Sequence, residues 1–286
     1  MNSRSDHPRR SRAWIGVALA ALLTLVSATP ALADDGDRGK RVVVSPENMR
    51  GWGFMQETPS GSGTMVSGPE DPPAGDGSAQ LTVDNTGGWI LGKAAYQGVY
   101  LRDFTRLEYW TYRSLQPVGI FQIALQFNID RDLTDADEAF QGRIVYEPYY
   151  SHPTEAMTAG QWLHWNTQDN AQPGSWWFTR APQNAPVTGC SQADPCTWSE
   201  VLTKFPNVGV HRTFGAVILK AGGGWLGGFT GNTDALTIGC NGRTVLWDFE
   251  PSQHDKDKDK DKDKDKDKDK DRKLCGDDHH DDDDDD

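Results

Sequence analysis

The sequence predicts an all-β protein: a jelly-roll-like sandwich of two antiparallel β-sheets with one short helix and a charged C-terminal tail. Three observations predict it. Between the two chain ends, Gly, Pro and Asn recur every 8–15 residues, and the intervals are rich in aromatic and β-branched residues. Residues 121–129 alternate strictly. Phe121, Ile123, Leu125, Phe127 and Ile129 are set against Gln122, Ala124, Gln126 and Asn128, the pattern of a strand with one buried and one polar face. Only one segment carries a helix start. Thr197-Trp198-Ser199-Glu200 is a capping box, in which the Thr hydroxyl and the Glu carboxylate satisfy free amides of the first turn. An up-and-down barrel is the other way to close the same strands.

Residues 1–33 have the parts of a secretory leader. Arg4, Arg9, Arg10 and Arg12 precede an apolar run, and Ala31-Leu32-Ala33 offers a cleavage site. The run of 16 residues, 13–28, is shorter than the roughly 20 that a retained anchor needs, so no membrane span is expected in the mature protein. The domain then covers residues 34–251. Its strands are expected at 51–55, 64–67, 79–83, 88–91, 107–113, 121–129, 143–147, 161–166, 175–179, 214–219, 234–239 and 244–249. Two prolines and two glycines make 70–77 a loop. Val201, Leu202 and Phe205 give the helix an apolar face, and Pro206 ends it. Residues 252–286 repeat Asp-Lys and close on six Asp, a composition that forms no core and predicts a disordered tail.

The formal charge of −13 divides into +3 in the leader, −7 in residues 255–286 and −9 in between. A domain so acidic excludes nucleic acid and anionic lipid as expected partners. Of four cysteines, Cys190 and Cys196 bracket a five-residue turn and predict a disulfide worth about 2 kcal/mol in an exported protein. Cys240 and Cys275 either pair, tying back the tail, or leave Cys275 to link two chains. No zinc spacing accompanies them.

The segment Gly231-Asn232-Thr233-Asp234-Ala235-Leu236-Thr237-Ile238-Gly239 resembles the closing strand of jelly-roll carbohydrate-binding modules and concanavalin-like sandwiches. The stretch Gly142–Tyr150, Gly160-Gln161-Trp162 and the Gly223-Gly224-Trp225 loop are similar to parts of secreted bacterial sandwich domains. The resemblance spans about 104–251. It implies a jelly-roll-like sandwich and glycan binding, and it carries over no catalytic motif.

Ten tryptophans lie outside the leader. An indole stacks on the C–H face of a sugar while amides and carboxylates bind its hydroxyls, within a concave site. The candidate ligand-binding residues are Gln122, Gln126, Arg143, Tyr146, Glu147, Trp162, His164, Trp176, Trp177 and Trp225. Each aromatic among them has core packing as its alternative. In a strand, adjacent Trp176 and Trp177 face opposite sides, so one of them is open to a ligand. Asp130, Asp132, Asp135 and Asp137 lie in an acidic run after the strongest strand. They are candidate Ca²⁺ ligands, with a solvated acidic loop as the alternative and no EF-hand spacing.

No catalytic residue stands out, since G-x-S-x-G and H-E-x-x-H are both missing. The expected function is a secreted, non-catalytic protein binding an extracellular glycan or cell-surface polymer. A structural or adhesive envelope protein is the first alternative, and a glycan-active hydrolase or lyase the second.

Overall fold

The computed structural model describes residues 39–115, 119–179, 189–225, 227–252 and Cys275. The leader and all of the Asp-Lys tail except Cys275 lie outside them. The fold is a two-sheet β-sandwich with seven strands in each sheet. The first sheet holds β1 (Lys40–Val44), β3 (Gly61–Ser67), β4 (Gly77–Val83), β6 (Phe104–Arg113), β9 (Trp162–Asn166), β13 (Phe229–Cys240) and β14 (Arg243–Phe249). The second holds β2 (Trp52–Thr58), β5 (Gly88–Lys93), β7 (Ala124–Asp130), β8 (Arg143–Tyr146), β10 (Trp176–Phe178), β11 (Gly209–Val210) and β12 (Val217–Gly222). The α-helices among the described residues are three and short: α1 (Pro148–Ser151), α2 (Pro153–Ala156) and α3 (Trp198–Lys204). Among the described residues no helix is long and apolar enough to cross a membrane.

The long strand β13 organises the first sheet. On one side it pairs with β6; on the other it pairs with β4 along Phe229–Thr233 and then with β14 along Leu236–Cys240. The change of partner falls at a bulge, where Ala235 has a φ of 50°. Buried Asp234 secures it, accepting hydrogen bonds from the backbone N–H of Phe249 at 3.0 Å and of Ala74 at 2.9 Å. Burial pushes the Asp234 carboxyl well above its ordinary range. One pairing departs from the antiparallel expectation. The β-branched run Val42-Val43-Val44 in β1 lies parallel to β14, with Val42 opposite Trp247.

The second sheet runs β10-β8-β7-β12-β5-β2, with β11 continuing the line of β12 beside β7. The alternation in β7 fixes its sides: Leu125, Phe127 and Ile129 are fully buried against the first sheet. They share one buried core with Leu107, Tyr109 and Trp165 among others, and the Tyr109 hydroxyl donates to the Ile123 carbonyl at 2.8 Å. Trp52 packs edge-on to Trp247 and Phe249. Burying each large side chain contributes roughly 1.5–3 kcal/mol, so the two inner faces dominate stability.

The capping box of α3 is present in both directions: the Glu200 N–H bonds the Thr197 hydroxyl, and the Thr197 N–H bonds the Glu200 carboxylate. Trp198 of α3 packs on Trp176 at 5.0 Å between ring centroids. The Cys190–Cys196 disulfide closes the loop before α3. Cys196 exchanges backbone hydrogen bonds with Trp176, which extends the β10 edge. Cys240 pairs with Cys275, and the Asn241 side-chain amide donates to the Cys275 carbonyl at 3.2 Å.

Candidate ligand-binding face

The register across the second sheet defines its outer face. With Leu125 and Phe127 turned inward, Gln126 and Asn128 turn outward. Opposite Gln126 stand Val145 of β8 and Ile218 of β12; opposite Asn128 stands Arg143. Trp177 of β10 lies beside Val145. Ile218 pairs with Gly92, and Gly92 pairs with Gly53, where an added Cβ would meet nothing within 4 Å. A bulge in β2 between Gln56 and Thr58 re-aims Glu57.

This face is concave. Arg143 on β8 and Glu57 on β2 are four strand steps apart, about 19 Å on a flat sheet. Two extended side chains do not span that distance. Yet the Arg143 Nη1 lies 2.5 Å from the Glu57 Oε1. The sheet therefore curls, and the pair bridges its hollow. Outward side chains beneath it are largely shielded: Gln126 is 5% exposed, Ile218 3% and Val145 1%.

The floor is ordered by hydrogen bonds. The Arg143 Nε donates to the Asn128 Oδ1 at 3.2 Å, and its Nη1 donates to the Gln126 Oε1 at 3.3 Å as well as to Glu57. The second Glu57 oxygen is ion-paired with the Lys220 Nζ. Burial opposes ionisation of Glu57, but Lys220 and Arg143 outweigh it and hold the carboxyl below its ordinary value. At one wall the Trp177 Nε1 donates to the Glu147 Oε2 at 3.0 Å, and Tyr149 also hydrogen-bonds that carboxyl. Burial raises Glu147 above the usual carboxylate range and raises the Tyr149 phenol in the same way. Phe121 packs edge-on to Tyr149 and stacks on Trp225 at 4.7 Å with an interplanar angle of 2°. That aromatic cluster stands where β7 begins and β8 and β12 end.

The structure thus gathers Gln126, Arg143, Glu147 and Trp177 on one face. The other candidates lie elsewhere. Tyr146 and Trp176 point into the core, 2% and 0% exposed, because they alternate with the outward Val145 and Trp177. Gln122 is buried off the end of β7, accepting from the Thr111 hydroxyl and donating to the Ala156 carbonyl. Trp225 folds inward against Phe121 and Phe229. All four side chains are buried within the fold. Trp162 and His164 belong to β9 in the other sheet, where they pair with Tyr112 and Trp110. His164 lies 3.2 Å from Glu108 there.

The acidic run is built from turns that close on themselves. The Asp132 Oδ1 accepts from the N–H and hydroxyl of Thr134, Asp135 from the Asp137 N–H, and Asp137 from the Ala139 N–H. Asp130 accepts from the Asp132 N–H and the Gln141 amide. Among the described residues no three His, Cys, Asp or Glu side chains converge to hold a metal ion. In this arrangement the four carboxylates cap turns of their own loop.

Glu57, Lys220, Phe121 and Tyr149 were not among the sequence candidates. Lys220 had a readable signal: it is the one charge in the apolar strand Val217–Gly222, placed two residues after Ile218 on the same side. Glu57 had none, because the bulge that aims it is a tertiary feature.

No family model matches the sequence, and no curated protein matches it. Solved structures do. The chain is similar to the family 11 carbohydrate-binding module of the cellulosomal cellulase Lic26A-Cel5E of Clostridium thermocellum. Identity is 10% and the TM-score 0.35, and the match covers 71% of this chain and 91% of the module. For the family 11 module from Clostridium thermocellum in complex with a β-1,3-1,4-mixed-linked tetrasaccharide, the figures are 11%, 0.35, 72% and 94%. For TmCBM61 in complex with β-1,4-galactotriose they are 8%, 0.30, 66% and 88%.

Proposed function

We propose that the protein is an exported, non-catalytic glycan-binding β-sandwich whose ligand lies across the concave outer face of the second sheet. One observation carries the reading: a partly exposed indole, Trp177, stands beside a hollow whose polar side chains are already fixed by cross-strand hydrogen bonds. Preordered polar groups bind sugar hydroxyls without a large ordering cost, and an indole face supplies the apolar contact. Export rests on the leader-like residues 1–33 and on two disulfides, which persist in oxidising compartments.

The test is a glycan array followed by tryptophan-fluorescence titration of the mature chain. Trp177→Ala is expected to weaken binding at least about tenfold while the melting temperature stays near that of the parent, since Trp177 is not part of the core. Equal affinity in the variant overturns the assignment of this face. A blank array moves the reading to a structural envelope protein.

A second reading, glycoside hydrolysis, is favoured by one observation. Glu147 is held high and Glu57 low on the same face, the opposed carboxyls that acid and base roles require. Release of reducing ends that disappears in Glu147→Gln would establish it.

A further inference from the structure

The donor and acceptor inventory of the concave face names the charge of its ligand. Both Glu57 oxygens are taken, one by Arg143 and one by Lys220. The Gln126 and Asn128 carbonyl oxygens are taken by Arg143. Glu147 is engaged by Trp177 and Tyr149. What remains is almost all donor. The Arg143 Nη2 and the Gln126 Nε2 have no hydrogen-bond partner among the described residues. The Lys220 ammonium carries three donors and has one partner there, Glu57. Two cations meet Glu57 on the floor of the hollow, and the neighbouring Glu147, which Lys220 also reaches electrostatically, is occupied by Trp177 and Tyr149, so what this face offers a ligand is hydrogen-bond donors, two of the groups cationic, in a domain whose own balance is −9. The cationic side chains are only 20% and 17% exposed, so their charge is less screened than on an open surface.

A neutral sugar hydroxyl both donates and accepts, and it finds few free acceptors on this floor. A carboxylate only accepts, and a guanidinium edge beside an ammonium matches it. We propose that the face selects carboxylate-bearing glycans, uronate oligosaccharides, with the sugar carboxylate held between the Arg143 Nη2 and the Lys220 Nζ and a ring stacked towards Trp177. This rests on the glycan-binding reading above and narrows it. The domain's negative balance opposes a polyanion at a distance. At physiological salt, however, that repulsion is screened beyond roughly 8 Å, so selection is made by the local pair.

The experiment is isothermal titration of the mature full chain with tetrasaccharides of galacturonate, mannuronate and glucuronate, and with the carboxyl-reduced counterpart of each. The expected result is binding of at least one uronate and at least about tenfold weaker binding of its reduced partner, with affinity falling as NaCl is raised. Lys220→Gln is expected to remove most of that preference; Arg143→Lys, which keeps the charge, retains part of it. Circular dichroism melts of both variants check that they fold. If the reduced oligosaccharides bind as well as or better than the uronates, the charge assignment is overturned and glycan binding stands. If neither class binds and the array is also blank, both fall. If the uronates do not bind but neutral glycans on the array do, only the present inference falls.

Discussion

Glu108 is a partly buried acid whose ionisation is strongly perturbed. A hydrogen bond from His164 lowers its pKa to about 2; burial opposes this, and Arg106 adds to it. A carboxyl with a folded pKa below its ordinary value near 4.5 contributes stability that is complete above about pH 4.5 and is lost as pH falls towards 2. Glu108→Gln is therefore expected to flatten part of the fall in melting temperature between pH 4.5 and 2, measured by thermal melts across that range. An unchanged pH profile would show that the His164 contact does not persist in solution. Glu57 on the concave face follows the same logic, its carboxyl lowered by Lys220 and Arg143 against the effect of burial. Glu57 is an anion that serves to hold Arg143 and Lys220 in place, so its neutralisation would disorder two cations at once.

At the scale of elements, α3 is the piece whose local signals and tertiary role agree most fully. Its capping box is complete, its residues Trp198 and Val201 are buried, and Trp198 packs on Trp176 of β10. Thr197→Ala removes a partner for the Glu200 N–H and is expected to cost about 1 kcal/mol in urea unfolding. A cost near zero would mean that packing alone holds the helix. Most strands were legible as well. Residues 121–129 announce β7 by alternation, and the structure starts it three residues later, at Ala124, because Phe121 and Gln122 turn off to meet Trp225 and Thr111. Strand β1 was missed: it directly follows the leader-like segment, and its partner β14 lies some 200 residues away. Strand β11 is two residues long and has no pattern to read. The helices α1 and α2 are single turns begun by Pro148 and Pro153, too short to show a period.

For the whole molecule, the two sheets and two disulfides form one scaffold. Pairing of Cys240 with Cys275 fixes the point at which the chain beyond β14 returns to the domain. Digestion without reductant is expected to give one fragment joining the Cys240 and Cys275 peptides and a Cys190–Cys196 loop, both resolved by reduction. Recovery of disulfide-linked dimers through Cys275 would contradict the intrachain pairing. Replacing Cys190 and Cys196 together by Ala is expected to lower stability by about 2 kcal/mol, the loop-closure contribution of so short a ring.

The sequence by itself determined the fold class, nearly all of the strands, the capped helix and the short disulfide loop. Each of these is encoded by residues close in the chain: a two-residue period, a capping box, two cysteines around a turn. Only the tertiary structure decided which residues share the candidate site. In β8 and β10, apolar residues occupy both sides, as in Ile144-Val145-Tyr146 and Trp176-Trp177-Phe178. Alternation there gives no sign of which side faces the core, and a shift of one residue exchanges site and core. Glu57 reaches Arg143 only because the second sheet curls, bringing together strands four positions apart. Curvature and strand order arise from the packing of the whole sheet, and no local stretch of sequence records them.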